Sequence, residues 1–377
     1  MTAVVVAGVS ARAMAESARR GGLDVIALDC FGDADTRAAS RRWADIAGAR
    51  PLEIDADRFV AELMRAACES DVRAWVPGPG FEAMPDALAR GAEALAMAGT
   101  AAADVRRLRD ARDFFASLDT AGIAHPAVRF DAVDVGATGW LVKDAGGRGG
   151  WHVRDASSLA GAPLARGCYL QREVGGVPMS ATFLADGTTV HLLGINRQRV
   201  RRFGARRHVF LGVTGPVPLA GETMHRVREA LRHAVGTYRL KGLGSLDFML
   251  DGEQVLVLEI NPRPPASAAL HERQANLMAA HLDACLDGRL PAAERATTGE
   301  LVRGWQIVYA LRPLALSTLA AEHLARTGCH DRPLAGSRFA TGDPVCSLSA
   351  EGASADAVDA RLAAAADELL TSLETLA

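Results

Sequence analysis

The chain has 377 residues, 49% of them hydrophobic, and a formal net charge of −3. This supplies core enough for two or three domains, argues against a surface built for nucleic acid, and leaves no apolar run long enough to cross a bilayer. Six cysteines without CxxC or ligand spacing read as reduced thiols, and an amino terminus without a basic leader reads as a first strand, so a cytoplasmic protein is expected.

In chain order, TAVVVAGVS predicts a strand, followed by a helix over residues 10–20 with Ser10 as N-cap and Gly21-Gly22 as its stop. A second strand, LDVIALDCFG, ends near Asp29, and a third, RAWVPGPGF, leads into another helix. The alternation predicts an amino-terminal doubly wound α/β domain over residues 1–98. Ligands in such sheets sit at the carboxyl ends of the strands, which makes Ser10, Arg12 and Glu82 candidate substrate residues. Only Gly8 marks the first turn, so a dinucleotide fingerprint is lacking, although Asp29 stands where a ribose-binding acid would. Asp33 and Asp35 read as a solvated turn rather than a metal site.

From about residue 104 a charged helix, DVRRLRDARDFFASLDTAG, leads into a strand at AVRF and then GWLVKDAGGRGGWHVRD. The strands LVKD and WHVR flank a glycine loop, residues 145–150. It is either a plain hairpin with a flexible tip or a cradle whose amides, at Gly147, Gly149 and Gly150, wrap a polyphosphate. Lys143 stands beside it, one of only two lysines in a chain whose other basic charge is arginine. An ammonium there is a compact charge suited to a phosphate.

CYLQREVGGVPMSATFLADGTTVHLLGINRQRV reads as three antiparallel strands joined by Gly-Gly and Asp-Gly turns. Arg197, Arg199, Arg201, Arg202, Arg206 and Arg207 surround a predicted loop, either as a solvated face or as a receiver of an anionic substrate or of phosphates. GSLDFML and VLVLEIN, joined by DGEQ, predict a hairpin. A turn centred on Glu253 pairs Asp247 with Glu259 and puts Asn261 on the same face, one step on. Opposed carboxylates, about 4.5–5.5 Å apart at Cβ, repel unless a cation lies between them. The all-oxygen set of Asp247, Glu259 and Asn261 therefore predicts Mg²⁺ or Mn²⁺. Arg263, just past the ligands, would face a terminal phosphate or a charged intermediate. Residues 301–377 predict a small C-terminal α+β appendage with a structural role, such as bracing a homodimer. Cys329-His330 lacks a partner pair for a metal.

Four stretches, in order, resemble the ATP-grasp superfamily of carboxylate-activating ligases over roughly residues 100–270. RDARDFFASLDTAGIAHP resembles the lead-in to the first subdomain, and LVKDAGGRGGWHV the phosphate lysine with its glycine loop. YLQREVGGVPMS resembles the segment that holds adenine and ribose, and SLDFML with LEINPR the metal hairpin. The resemblance implies a two-subdomain ATP-grasp fold over residues 99–300, with a lid at about 105–173. It further implies ATP and Mg²⁺ (or Mn²⁺) as cofactors, with Gln171, Arg172 and Val174 at adenine and ribose. Ala111 follows Asp110 where members place a lysine, leaving Arg109 or Arg112 as its substitute. Pro178 stands where many have a ribose-binding acid, leaving Glu173. NPRP is closer to carboxylase-type and carbamoyl-phosphate-type members than to D-alanine ligases. GFE after the third strand and the ending GDPVCSLSAEG are similar to a subgroup of predicted ATP-dependent carboligases, some tied to one-carbon cofactor biosynthesis.

The chemistry so implied is an ADP-forming ligation. A substrate carboxylate attacks the γ-phosphate, and an amine captures the acylphosphate to give an amide. Lys143 and Arg263 are the implied catalytic residues. Anionic small-molecule substrates would enter between Ser10, Arg12 and Glu82 on one side and Arg197 and Arg199 on the other. The rivals are a small-molecule kinase and a non-catalytic ATP-binding regulator.

Overall fold

The computed structural model describes residues 2–131, 138–272, 276–292 and 301–376. The first segment runs β1 (Ala3–Ala7), α1 (Arg12–Arg20), β2 (Asp24–Asp29), α2 (Ala34–Ala38), β3 (Arg42–Asp45), α3 (Ala56–Ala67), β4 (Val72–Pro77) and α4 (Pro85–Ala94). The strands form one parallel sheet in the order β3-β2-β1-β4. Alternate β1 residues face opposite cores: Val4 and Val6 pack with Met14 and Ala18 of α1, Val5 and Ala7 with Phe59 and Leu63 of α3. Helices on both faces make this the doubly wound domain the sequence predicts. Its second core centres on Phe59, Trp75 and Phe81, whose ring centroids lie 4.6 to 5.4 Å apart. Each such fully buried side chain contributes about 1.5–3 kcal/mol. Helix α1 begins later than expected, at Arg12, with Ala11 at the cap position and no side-chain cap. The Ser10 hydroxyl instead lies 3.4 Å from Asp331 Oδ1. Gly21-Gly22 does end the helix, with Gly22 at φ +74°.

The expected single charged helix is two, α5 (Ala102–Leu108) and α6 (Ala111–Thr120). Asp110 divides them because its carboxylate accepts the amides of Arg112 and Asp113 and so starts a new helix. Next come β5 (Val128–Arg129), β6 (Trp140–Asp144), β7 (Arg154–Asp155) and β8 (Cys168–Arg172), a four-stranded sheet in the order β5-β8-β6-β7. Only the last residues of WHVRD are strand. The following strand, β9 (Val177–Asp186), belongs to a different sheet, so Gly175-Gly176 is a crossing between sheets and not a hairpin turn. Gly176 sits at φ +104°, where an added Cβ would lie 2.4 Å from the Leu250 carbonyl oxygen.

The remaining elements are β10 (Val190–Phe203), β11 (Arg206–Gly215), α7 (Gly221–Tyr238), β12 (Lys241–Asp251), β13 (Gln254–Asn261), α8 (Ala268–His271), α9 (Leu277–Leu286), β14 (Val302–Tyr309), β15 (Leu314–Ala315), α10 (Thr318–Arg326), β16 (Arg338–Phe339), β17 (Pro344–Gly352) and α11 (Ala355–Leu376). A seven-stranded antiparallel sheet takes the order β13-β12-β9-β10-β11-β14-β17. The clustered arginines therefore lie along β10 and β11, not in a loop. Val227, Leu231, Val235 and Tyr238 recur at helical spacing on α7 and pack on Phe183, Leu246, Phe248 and Val257. Strands β14 and β17 extend this sheet, covered by Val358, Leu362 and Leu373 of α11, so the C-terminal α+β region shares its backbone pairing with the central sheet. Helix α9 presents Met278 and Leu282 to the parallel sheet and Leu277 to Leu184 and Leu243 of the antiparallel one. Among the described residues no helix is long and apolar enough to cross a membrane.

Candidate active site

The β12–β13 hairpin pairs Asp247 with Glu259, by a different route from the one expected. The turn is centred between Gly252 and Glu253, so Asp251 faces Gln254 and Phe248 faces Val257. Continued unchanged, that register would set Asp247 opposite Leu258 and turn Glu259 to the other face. A bulge at Leu258 shifts the pairing by one residue, bringing Asp247 to Glu259 and Ser245 to Asn261.

Asn261 Nδ2 lies 3.2 Å from Asp247 Oδ2 and 3.5 Å from Glu259 Oε1. Asp247 Oδ1 is buried without a hydrogen-bond partner. Burial, then Glu259, pushes the Asp247 carboxyl up to about 7. Burial also acts against the Glu259 charge, but Lys143, Arg109 and His152 outweigh it and hold that carboxyl below its ordinary range. Lys143 Nζ donates to Gln171 Oε1 at 3.2 Å. Burial disfavours this ammonium as well, yet Tyr169, Glu259 and Asp247 keep its pKa above the usual value. A buried cation thus faces two half-buried carboxylates, one of them with a buried, orphaned oxygen. That donor set fits a hard divalent cation. The Asn261 amide presents nitrogen to the carboxylates, so its oxygen would join them only with the amide turned over.

Asn261 Oδ1 accepts from Arg109 at 3.4 Å and from Arg263 at 3.5 Å. Both arginines meet Glu82, whose Oε1 accepts Arg263 Nε at 3.2 Å and lies 3.9 Å from Arg109. Its Oε2 accepts the Gly80 amide at 2.6 Å. Burial opposes the Glu82 charge, but Arg263 and Arg109 hold its pKa below the ordinary value. Three distant segments, the β4–α4 loop, the end of α5 and the chain after β13, converge here.

Other predicted residues lie elsewhere or are already engaged. Arg112 stacks over Phe130 at 4.3 Å, so Arg109 is the lead-in arginine that reaches Asn261 and Glu82. Arg172 is exposed, with NH1 on the Thr138 carbonyl at 3.1 Å, whereas Gln171 is buried beside Lys143 and its Nε2 has no partner. Val174 is half-buried on the crossing between β8 and β9. Glu173 is held by Arg207 at 2.9 Å through both oxygens. Arg197 pairs with Asp356 and Asp359 of α11, and Arg199 with Gln306 of β14. Arg12 Nε lies 2.8 Å from Asp331 and its NH1 2.8 Å from Glu16, so Ser10 and Arg12 join a seam with the C-terminal region. Asp33 and Asp35 are no solvated turn. Both are buried, and Asp35 accepts the amides of Asp331 and Arg332. Burial, then Asp331, Asp29 and Asp35, pushes the Asp33 carboxyl up to about 8. Glu16, Asp35 and His330 cluster there, but the Arg12 guanidinium already stands among them. Asp29 serves its own loop, accepting Trp43 Nε1 and the amides of Ala11, Phe31 and Gly32.

The glycine loop is docked and not a free tip. Gly149 O accepts the Phe210 amide at 2.9 Å, and Arg148 NH1 reaches the Leu52 carbonyl at 3.1 Å. A Cβ at Gly150 would lie 1.8 Å from the His208 carbonyl oxygen. The Gly146 and Gly147 amides turn back onto Asp144. Two residues near Lys143 escaped the sequence reading: Tyr169, directly opposite it on β8, and His152, at the loop's exit. Strand pairing would have found Tyr169; nothing local singles out His152.

Residues 109–267 match the family model for the ATP-grasp domain. No curated protein matches the chain by sequence. Among solved structures, it is similar to a biotin carboxylase–β-γ-ATP complex from Campylobacter jejuni (TM-score 0.74, 13% identity, 99% of this chain and 95% of that one). It is also similar to an L-amino acid ligase from Bacillus licheniformis (0.70, 16%, 98% and 97%). A third is the biotin carboxylase domain dimer of 2-oxoglutarate carboxylase from Hydrogenobacter thermophilus, bound to MgADP, ADP and bicarbonate (0.69, 13%, 93% and 86%). Residues 109–267 are thus an ATP-grasp domain, and from β1 to α11 the chain carries the ATP-grasp fold.

Proposed function

We propose that this protein is an ATP-dependent ligase that activates a substrate carboxylate as an acylphosphate and couples it to an amine, releasing ADP and phosphate. The observation that carries the reading is the half-buried Asp247–Glu259 pair, with its buried, orphaned oxygen, facing the Lys143 ammonium. Bound Mg²⁺ or Mn²⁺, held by Asp247, Glu259 and the turned Asn261 amide, would neutralise phosphate oxygens and orient the nucleotide. A carboxylate oxygen attacks the γ-phosphorus as the bond to the ADP oxygen breaks. The amine nitrogen then adds to the acyl carbon, phosphate leaves with the bonding pair, and the nitrogen gives up a proton. Lys143 donates to the phosphate, and Arg263 and Arg109 stabilise charge on the transferring group and on the tetrahedral oxyanion. Residues 145–150, with Gly147, Gly149 and Gly150, are proposed to hold the nucleotide's phosphates beside Lys143. Gln171, with Arg172 and Val174, is proposed at the adenine and ribose. An anionic substrate, a homodimer, a cytoplasmic setting and the cofactor-biosynthesis subgroup belong to the same proposal.

Nucleotide titration with and without Mg²⁺, comparing wild type with Glu259→Gln, tests it, followed by ADP release against pools of acids and amines. The ligase requires Mg²⁺-dependent ATP binding that Glu259→Gln weakens, and ADP release that needs both an acid and an amine. ADP release with an acceptor alone would make the protein a kinase. Absence of ATP binding would remove the reading.

A further inference from the structure

The sheet face that carries Asp247 and Asn261 stays polar well beyond them. Ser180 lies opposite both Asp247 and Asn196, and Ser245 opposite both Asn261 and Thr182. Directly paired residues share a face, so these side chains all point away from the core under α7, and Ser180, Thr182, Asn196, Ser245 and Asn261 are buried there. Burying such groups is costly unless hydrogen bonds satisfy them. Part of that need is met by a chain of bonds from α8. Ser267 Oγ and Thr182 Oγ1 are 2.6 Å apart, Asn196 Nδ2 donates to Thr182 Oγ1 at 3.0 Å, and Asn196 Oδ1 lies 3.0 Å from His271 Nε2. Asn196 Nδ2 also meets the Ser180 carbonyl at 3.4 Å, which only accepts; this fixes the amide's orientation and makes His271 Nε2 the donor. Burial, with Arg303 nearby, pushes the His271 pKa down to about 4, so the ring is neutral and its one N–H goes to Asn196. Gly194 makes room for the ring: a Cβ there would lie 2.3 Å from His271 Cε1. Ser267 stands at the start of α8 and His271 at its end, so the chain holds both ends of the helix against β9 and β10. Only Pro264, Pro265 and Ala266 separate Arg263 from Ser267, and the two prolines have fixed φ.

We infer that His271 is a positioning residue for Arg263: by clamping α8 to Asn196 and, through it, Thr182, it holds the proline-stiffened connection from which Arg263 meets Glu82 and Asn261. The inference rests on the ligase reading, in which Arg263 stabilises charge during the reaction, and adds a residue that neither the motif nor the hairpin supplies.

The test combines hydrogen exchange over residues 262–271, calorimetric binding of ATP·Mg²⁺, and ADP release with the acid and amine pools, with unfolding temperature as the folding control. His271→Ala should speed exchange in that segment, lower kcat about tenfold, as loss of one buried hydrogen bond would, and leave ATP affinity within about twofold. Thr182→Val, which removes the hydroxyl in the middle of the chain at nearly constant shape, should act in the same direction. In His271→Gln the amide nitrogen stands in for Nε2, and kcat should return to within about threefold of wild type. Added to Arg263→Ala, the His271→Ala change should cost less than about twofold more, because the residue it positions is gone. An equal tenfold loss in that background, or unchanged exchange over 262–271 in His271→Ala, would overturn the inference while leaving the ligase reading intact. No ADP release from wild type, with exchange still faster in His271→Ala, would remove the ligase reading and keep the clamp.

Discussion

Glu82 is the residue on which the arginine side of the site turns. It is 3% exposed and is the shared counter-charge of Arg263 and Arg109. Removing one partner of a buried ion pair costs about 3–5 kcal/mol, and a misplaced catalytic group costs about 10²-fold in rate. Glu82→Gln should therefore lower kcat by about that factor while ATP affinity changes less than about threefold. A raised KM for the acid at unchanged kcat would instead make Glu82 a direct substrate ligand. Asp33 gives a pH prediction. Its folded pKa of about 8 lies above the ordinary value of about 4, so the folded state binds the extra proton between those limits. Its protonated form thus favours folding below that window, and the contribution fades as pH rises toward 8. The unfolding temperature should fall from pH 5 to pH 8, and Asp33→Asn should flatten that slope. A slope unchanged in the variant would place the titrating group elsewhere. Among single residues, the shared face of Asp247, Glu259 and Asn261 was legible because they lie on one hairpin, where alternation fixes faces, with Arg263 just beyond it. Arg12, Arg197 and Arg199 were not, because their counter-ions arrive from Asp331, Asp356 and Asp359, far along the chain.

At the scale of elements, the β12–β13 hairpin shows how a correct pairing can be reached through a wrong turn. The DGEQ signal predicts a hairpin but does not fix its centre, and the bulge at Leu258 makes up the one-residue difference. Deleting Leu258 should remove the bulge and leave Glu259 next after Val257, still opposite Asp247, so Mg²⁺-dependent ATP binding should survive in a chain that keeps its far-ultraviolet circular dichroism. Inserting one glycine after Gly252 should lengthen the turn and leave the Asp247–Glu259 pair, and so nucleotide binding, in place. If the folded deletion variant binds no ATP, the opposed carboxylate pair does not suffice and the metal reading of the hairpin fails with it. Other elements were misread for local reasons. Asp110 looks like one more charge in a helix until its carboxylate is seen capping α6, and Gly175-Gly176 looks like a hairpin turn because strands flank it on both sides. The choice between hairpin and crossover depends on which sheet each strand joins, and local sequence does not carry that information.

For the molecule as a whole, the question is whether residues 301–377 are an appendage. Two strand-like stretches, WQIVYAL and PVCSLSA, and a closing helix suggest one in the sequence. The pairing argues otherwise: β14 is hydrogen-bonded to β11, and β17 to β14, in the same sheet that carries Asp247 and Glu259. Val308, Leu348, Val358, Leu362, Leu370 and Leu373 bury one face of that extension, each contributing about 1.5–3 kcal/mol. The seam adds Asp331, which sits at φ +54°, holds Arg12, and with Arg332 donates backbone amides to Asp35 of α2. Tyr309 reaches back to Trp151 beside the glycine loop, with ring centroids 6.0 Å apart. A chain ending at residue 300 would expose the β11 edge, leave Arg197 without Asp356 and Asp359 and Arg12 without Asp331, and remove part of the surface on which the glycine loop rests. Such a truncation should express as aggregated or partly unfolded protein, and the full chain should unfold without a separate C-terminal transition in calorimetry. A soluble 1–300 fragment that binds ATP·Mg²⁺ as tightly as the full chain would show that the sheet extension is dispensable. The arginines of β10 would then be free to receive substrate, as their clustering in the sequence first suggested.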